Sequence, residues 1–413
     1  MTQDYFVREL DNGLILLAER LDHVASTSVQ LSLPVGASRD TNALSGAANV
    51  LAEWLFRGAA GRDSRQLHDA FDALGCQHDQ SVQSAFLQLS SSQAHQNLRD
   101  TLTLYADIVR EPALAGDTFG PCRDLALQEL ASLEDQPTRK CTARLRERFY
   151  PAPLGSPAVG RNESLSAMTD DRLRAHARKH LTPRGAILAV AGHVRFDPLC
   201  DWATELFGGW TGDPLPAAES SEPVGGVDHE AKQTAQVQIS LAYKAPDITD
   251  KHYYPMRLAE MVLSGGMSGR LFTEVREKRG LVYSVGARYQ AVKGAAGLFI
   301  YAGTAGERAQ ETLEVTTREL RKLSDGITDD ELTRAKTQLK AALIMQGEST
   351  RSRAVGLTND WHLLGRLRQL DEIASAIEAV TLDAVAACVA AYPAANLTGY
   401  IIGPEPLDVS CLA

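Results

Sequence analysis

Arg276 and Tyr283 bring a charged guanidinium and a phenol to either side of one corner, in the run Leu263–Tyr283, LSGGMSGRLFTEVREKRGLVY. A planar fork of N–H donors and a nearby hydroxyl can together stabilise negative charge developing on one oxygen. The same residue types also fit an ordinary amphipathic helix whose arginine pairs with a neighbouring glutamate. Residue types alone leave both readings open.

Other chemistries are poorly supplied. A zinc hydrolase places two histidines on one helix face as HExxH or HxxEH, with a carboxylate to activate water. The chain has neither pattern. His176 and His180 have chelating spacing, but RLRAHARKHLTPR around them is basic and lacks a carboxylate, which favours a solvated face. Asp228-His229-Glu230 reads as a polar loop. Gly266-Met267-Ser268-Gly269 lacks the second half of a nucleophile elbow, and there is no phosphate-binding glycine motif.

The elements that must position Arg276 and Tyr283 follow from the same run. Gly265, Gly266 and Gly269 predict a turn, with Ser268 as the N-cap of a short helix. Leu271, Phe272 and Val275 give that helix an apolar face. Arg276, four positions after Phe272, flanks it. Gly280 ends the helix, and Leu281, Tyr283 and Val285 alternate onto one face of a strand. Upstream, Asp11-Asn12-Gly13 predicts a hairpin. Strands are expected at TSVQLSLPVG, SAFLQLSSS and AILAVAG. Helices are expected near Leu44–Phe56, SRQLHDAFDALG, Asn97–Val109, Asp117–Leu133, Asp170–His180 and Asp197–Leu206.

The whole chain bounds the partners. Its 413 residues suffice for two domains, and 44% hydrophobic with 23% charged residues is ordinary for a globular protein. A net charge of -10 argues against nucleic acid. No apolar run reaches the length of a membrane span. The N-terminus MTQDYFVRELDNG has no signal-peptide pattern, so a cytoplasmic location is expected, or a periplasmic one if a signal had been removed. Six scattered cysteines form no CxxC pair and fit reduced thiols.

The sequence also repeats itself. Val29–Leu33, VQLSL, returns as VQISL at Val237–Leu241, and Leu51-Ala52-Glu53 returns as Leu258-Ala259-Glu260. Leu102, Arg123 and Gly192 have counterparts at Leu313, Arg334 and Gly403. A Gly-, Pro-, Ser- and acid-rich stretch lies between the copies. The expected organisation is a domain over 1–212, a linker over 213–232 and a second copy over 233–413. Each copy is an α+β domain: a mainly antiparallel sheet with helices packed on one face.

This duplication, and the run GGMSGRLFTEVREKRGLVYSV, resemble the M16 metallopeptidases, the pitrilysin- and processing-peptidase-like family. The resemblance spans nearly the whole chain, including Val35-Gly36-Ala37-Ser38-Arg39 before the first-domain motif. It implies that Asn49, Ala52 and Glu53 stand where the family has its first histidine, catalytic glutamate and second histidine. Glu129 matches the third ligand. The implied consequence is no zinc in this chain and no hydrolysis by it alone. Arg276 and Tyr283 match the family's pair that binds the scissile carbonyl and its oxyanion. The resemblance therefore implies the non-zinc subunit of a heterodimer, with zinc in an HxxEH-bearing partner and unfolded peptide as substrate. A catalytically inert scaffold, or a peptide-holding chamber formed as a homodimer, is the alternative.

Overall fold

The computed structural model describes residues 3–216 and 221–412. The first half contains strands β1 (Asp4–Glu9), β2 (Ile15–Arg20) and β3 (Ser26–Leu33), helix α1 (Ala47–Leu55), and the two-residue strands β4 (Gly58–Ala59) and β5 (Arg62–Asp63). Helix α2 (Ser64–Ala73), strands β6 (Gln77–Val82) and β7 (Leu87–Ala94), and helices α3 (Leu98–Arg110), α4 (Gly116–Glu134) and α5 (Pro137–Phe149) follow. Helices α6 (Asn162–Ser166) and α7 (Asp170–His180), strand β8 (Ile187–Gly192) and helix α8 (Phe196–Phe207) complete it.

The second half runs β9 (Val227–Ala231), β10 (Val237–Lys244), α9 (Tyr253–Ser264), a π-helical turn (Phe272–Glu277), β11 (Val282–Val292) and β12 (Ala295–Thr304). Helices α10 (Ala309–Arg321), α11 (Asp329–Gly347), α12 (Thr350–Leu364), α13 (Leu370–Glu378) and α14 (Leu382–Ala391) precede the last strand, β13 (Thr398–Gly403).

The expected duplication is present in the sheet orders. One sheet runs β1-β2-β8-β3-β7-β6 and the other β11-β12-β10-β13-β9. Reading the second backwards, β9-β13-β10-β12-β11 matches β2-β8-β3-β7-β6 strand for strand. In both, the pairing is antiparallel except for one parallel pair, β2 with β8 and β13 with β9. The repeated VQLSL and VQISL segments are the central strands β3 and β10, and Gly192 and Gly403 each end the strand beside them.

Two compact units result, and each borrows a segment from the other half of the sequence. The first comprises Met1–Ser132, Ser156–Ser220 and Gln346–Leu367; the second comprises Leu133–Gly155, Ser221–Met345 and Arg368–Ala413. In the first unit, Leu16, Val29, Leu31 and Val190 face a core closed by Val50, Leu51 and Trp54 of α1 and Leu102 and Tyr105 of α3. The opposite face of that sheet, with Leu17, Ile187 and Ala189, is covered by Leu357 and Trp361 of α12. Polar links from three of its residues, Thr350, Arg351 and Arg353, fix this helix. Ser28 Oγ lies 2.8 Å from Thr350 Oγ1, and Arg351 reaches Asp79 at 3.2 Å. Arg353 forks onto fully buried Glu19 at 2.6 and 2.8 Å and also donates to the Tyr5 hydroxyl.

The second unit follows the same plan. Ile239, Leu241, Leu298 and Ile300 pack against Met256, Ala259 and Val262 of α9 and Leu313 of α10. The other face, with Ala242, Phe299, Tyr400 and Ile402, is covered by Cys141 and Leu145 of α5 and by Tyr150. Buried Lys140 is held between Glu134 and Glu230, each at 2.6 Å, and Cys141 Sγ donates to the Tyr400 carbonyl at 3.1 Å. Each sheet therefore has a helical layer on one face, as expected, and a single exchanged helix on the other.

Several local expectations change. The stretch expected to be linker contains β9, because its backbone gains a ladder with β13; residues 217–220 of that stretch lie outside the described residues. His176 and His180 are buried rather than solvated. His176 Nε2 sits 3.6 Å from Asp40 Oδ1, and His180 Nδ1 is 2.8 Å from the His176 carbonyl oxygen. Asp40 in turn accepts from the Gly46 and Ala48 amides at 3.0 and 3.2 Å, which fixes the start of α1. The hairpin forms as predicted, with Gly13 at φ 88°.

Candidate functional site

The segment carrying Arg276 and Tyr283 is anchored at both ends within the second unit. Arg270 forks onto Glu331 at 2.7 and 2.8 Å and donates to the Gly326 carbonyl at 3.0 Å. Leu271, Val275, Leu281 and Val282 are buried in the core. The Thr304 hydroxyl donates to the Leu281 carbonyl at 2.6 Å. Gly265 must be glycine: a Cβ there would lie 2.4 Å from the Met261 carbonyl oxygen.

Between the anchors, two single-residue irregularities present the two side chains. The predicted short helix is π-helical over Phe272–Glu277, and the Lys278 amide donates to the Thr273 carbonyl at 2.9 Å. The widened turn leaves the Val275 and Arg276 carbonyls to the Leu281 and Gly280 amides, at 3.0 and 2.9 Å. Ser268 is not the cap, since no side-chain hydrogen bond caps the turn. The second irregularity is a β-bulge. Val282 pairs with Thr304 and Ser284 with Gly303, so Tyr283 has no partner on β12. The expected alternation of Leu281, Tyr283 and Val285 therefore fails. Leu281 and Val282 are both buried, and Tyr283 turns outward, 78% exposed.

Arg276 and Tyr283 are brought together. The Arg276 guanidinium carbon lies 5.0 Å from the Phe272 ring centroid and 5.7 Å from that of Tyr283. The alternative pairing of Arg276 with a helix glutamate is not formed. Glu274 is taken by Lys278 at 2.6 Å and Arg279 at 2.9 Å, whose hydrogen bonds hold its carboxyl down at about 2. Among the described residues Arg276 makes no ion pair. Its charge faces solvent beside an exposed phenol, an arrangement suited to receiving an anionic oxygen.

Gly280 closes the turn at φ 60°, the left-handed region that costs a residue with Cβ about 1 kcal/mol. Gly280→Ala is expected to lower stability by about that amount. Chemical denaturation checks it, with an unchanged midpoint as the contrary result.

Asn49, Ala52, Glu53 and Glu129 lie in the first unit, and the three polar ones are hydrogen-bonded. Asn49 Nδ2 donates to Glu129 Oε2 at 3.0 Å. Glu53 Oε1 accepts from Gln80 Nε2 at 2.8 Å, and its other oxygen lies 3.5 Å from the Arg57 guanidinium. Ala52 is buried against the core and offers only a methyl group. Among the described residues no group of three His, Cys, Asp or Glu side chains converges as a metal site would require. The donor set does not fit zinc. Gln80 and Arg57 were not anticipated: Gln80 meets Glu53 only because β6 packs beside α1, a proximity invisible in the sequence.

The chain thus combines a duplicated sheet-and-helix fold, a hydrogen-bonded Asn49–Glu129 pair in the first unit and an Arg–Tyr corner in the second. Two family models match it, "Insulinase (Peptidase family M16)" over residues 16–161 and "Peptidase M16 inactive domain" over residues 167–339. The chain belongs to the M16 peptidase family. Full-length relatives include an uncharacterized zinc protease of Rickettsia felis, 27% identical over 98% of this chain and 99% of its own length. The uncharacterized zinc protease YmxG of Bacillus subtilis is 27% identical over 91% of this chain and 92% of its own. In fold, the chain matches a peptidase M16 inactive domain from Pseudomonas fluorescens at TM-score 0.90 and 22% identity, covering 98% of this chain and 99% of that one. It matches a protease from Helicobacter pylori at TM-score 0.88 and 20% identity, covering 98% and 100%. Among the described residues no single helix is long and apolar enough to cross a membrane.

Proposed function

We propose that this chain is the non-zinc subunit of a two-chain M16 peptidase and supplies Arg276 and Tyr283 to substrate bound in the complex. The observation that carries the reading is the unpaired, exposed Arg276 guanidinium held over Phe272 and beside Tyr283, while the adjacent Glu274 is neutralised by other cations. Arg276 and Tyr283 would donate hydrogen bonds to the scissile carbonyl oxygen, and those bonds strengthen as the oxygen gains negative charge. The metal and the water-activating carboxylate would come from an HxxEH-bearing partner, because Asn49, Ala52 and Glu53 provide neither. The substrate class is unfolded peptide. A cytoplasmic setting suits the free cysteines, of which only Cys411 is not buried.

The purified chain is expected to hydrolyse no peptide and to gain chelator-sensitive peptidase activity when mixed with its HxxEH partner. A fluorogenic-peptide assay of each chain and of the mixture, with and without chelator, decides it. Hydrolysis by the lone chain, or a mixture no more active than the partner alone, would count against the reading; the latter favours an inert scaffold.

A further inference from the structure

The first unit holds a cavity of about 270 Å³ where the end of α3 meets α7 and the turn after α8. Its floor is apolar: Val109, Leu114, Leu181 and Trp210 line it and are all buried. That floor is rigid. The Trp210 indole donates to the Leu181 carbonyl at 3.2 Å, and Asn12 Nδ2 donates to the Trp210 carbonyl at 3.0 Å. Leu114 takes φ 40°, the left-handed region that a bulky residue enters only under strain. Bonds on either side hold it there. The Ala113 amide donates to the Gly58 carbonyl at 2.9 Å, and Arg174 Nε donates to the Leu114 carbonyl at 3.0 Å. Strain of this kind gathers where a fold presents a side chain to a ligand.

The rim carries both signs of charge, in the exposed side chains of Arg110, Arg178 and Glu111. Arg110 is steadied by one bond, from Nη1 to the Leu206 carbonyl at 2.8 Å. Among the described residues the Arg178 and Glu111 side chains make no hydrogen bond or ion pair, with each other or with anything else. Opposite charges that share one cavity without meeting leave space for a ligand that carries both.

We propose that this cavity binds a free apolar α-amino acid. Its carboxylate meets Arg178 and Arg110, its ammonium meets Glu111, and its side chain lies on Leu114, Leu181 and Trp210. The volume is below that of a site for a drug-sized ligand and suits a single amino acid. An anion lacking the ammonium would leave Glu111 facing it, and a plain amine would face two guanidinium groups, so the charges select the zwitterion. None of these residues takes part in the function proposed above.

Isothermal titration calorimetry of the full chain tests the site with L-leucine and three analogues that each lack one group. These are 4-methylpentanoate, without the ammonium; 3-methylbutylamine, without the carboxylate; and glycine, without the side chain. L-Leucine should bind about tenfold or more tighter than each, the usual worth of a charge-assisted hydrogen bond or a buried aliphatic side chain. Arg178→Gln and Glu111→Gln alter exposed side chains and should leave thermal unfolding unchanged. Each should weaken L-leucine binding by about tenfold. Glu111→Gln should also erase the preference for L-leucine over 4-methylpentanoate while keeping the preference over glycine. No binding of L-leucine at about 10 mM, wild-type affinity in either variant, or equal affinity of the wild-type chain for L-leucine and 4-methylpentanoate overturns the proposal.

Discussion

Arg276→Ala is expected to lower kcat of the assembled two-chain peptidase on the order of 10²-fold, the usual loss when one donor to a developing oxyanion is removed. The structural cost of the change should be small. The side chain is exposed, makes no ion pair among the described residues, and lies over the rings of Phe272 and Tyr283. The backbone around it is held independently by the Arg270–Glu331 fork and by buried Leu271 and Val275. Stability and partner binding should therefore stay near wild type while turnover falls. Tyr283→Phe is the sharper variant, because it keeps the ring beside the guanidinium and deletes only the hydroxyl. If both groups serve one oxygen, the double variant should lose less than the product of the two single losses. Steady-state kinetics of the reconstituted mixture reads all three. Undiminished kcat in both single variants would remove the assigned roles.

Much of this arrangement was legible in residue order, and the exceptions share a cause. The internal repeat marked both central strands, and the Asp-Asn-Gly turn marked the opening hairpin, because both signals are local. Gly280 was readable as a helix end for the same reason. Helix α5 was not. Its sequence, PTRKCTARLRERF, buries only Lys140, Cys141 and Leu145, and the surface it covers is made by strands about a hundred or more residues downstream. Strand β6, QHDQSV, has no apolar alternation and exists because β7 pairs with it. The π-helical turn and the bulge each depend on one extra residue in a regular element, and periodicity cannot register that. At the corner, the pattern predicted the helix and strand but misassigned the direction of Tyr283. In the first unit, the absence of HxxEH was evident at Asn49 and Ala52, whereas the bonds of Asn49 to Glu129 and of Glu53 to Gln80 needed the packing of α1 against α4 and β6.

Arg353→Met is expected to destabilise the first unit by about 3–5 kcal/mol, the usual consequence of stripping one partner from a buried ion pair. Glu19 is fully buried on β2 and receives two bonds from the Arg353 fork and one from Gln3 at 2.7 Å. Burial, reinforced by the Glu19 charge, raises the Tyr5 phenol above its ordinary range, so that hydroxyl stays neutral and cannot replace the lost cation. Without Arg353, the carboxylate must remain charged in a low-dielectric layer or take up a proton, and either is costly. The helix that carries Arg353 belongs to the later half of the sequence, so the damage should appear in a unit built mostly from the earlier half. All four tryptophans, Trp54, Trp202, Trp210 and Trp361, lie in that unit. Tryptophan fluorescence should therefore shift to markedly lower denaturant. Far-UV circular dichroism should resolve a second transition, from the other unit, near its original midpoint. Replacing both partners, as Glu19→Leu with Arg353→Met, should recover much of the loss because no charge is then left stranded. A single variant as stable as wild type would show that the exchanged α12 is held without the Arg353–Glu19 pair, by its apolar contacts through Leu357 and Trp361 and its remaining polar links through Thr350 and Arg351.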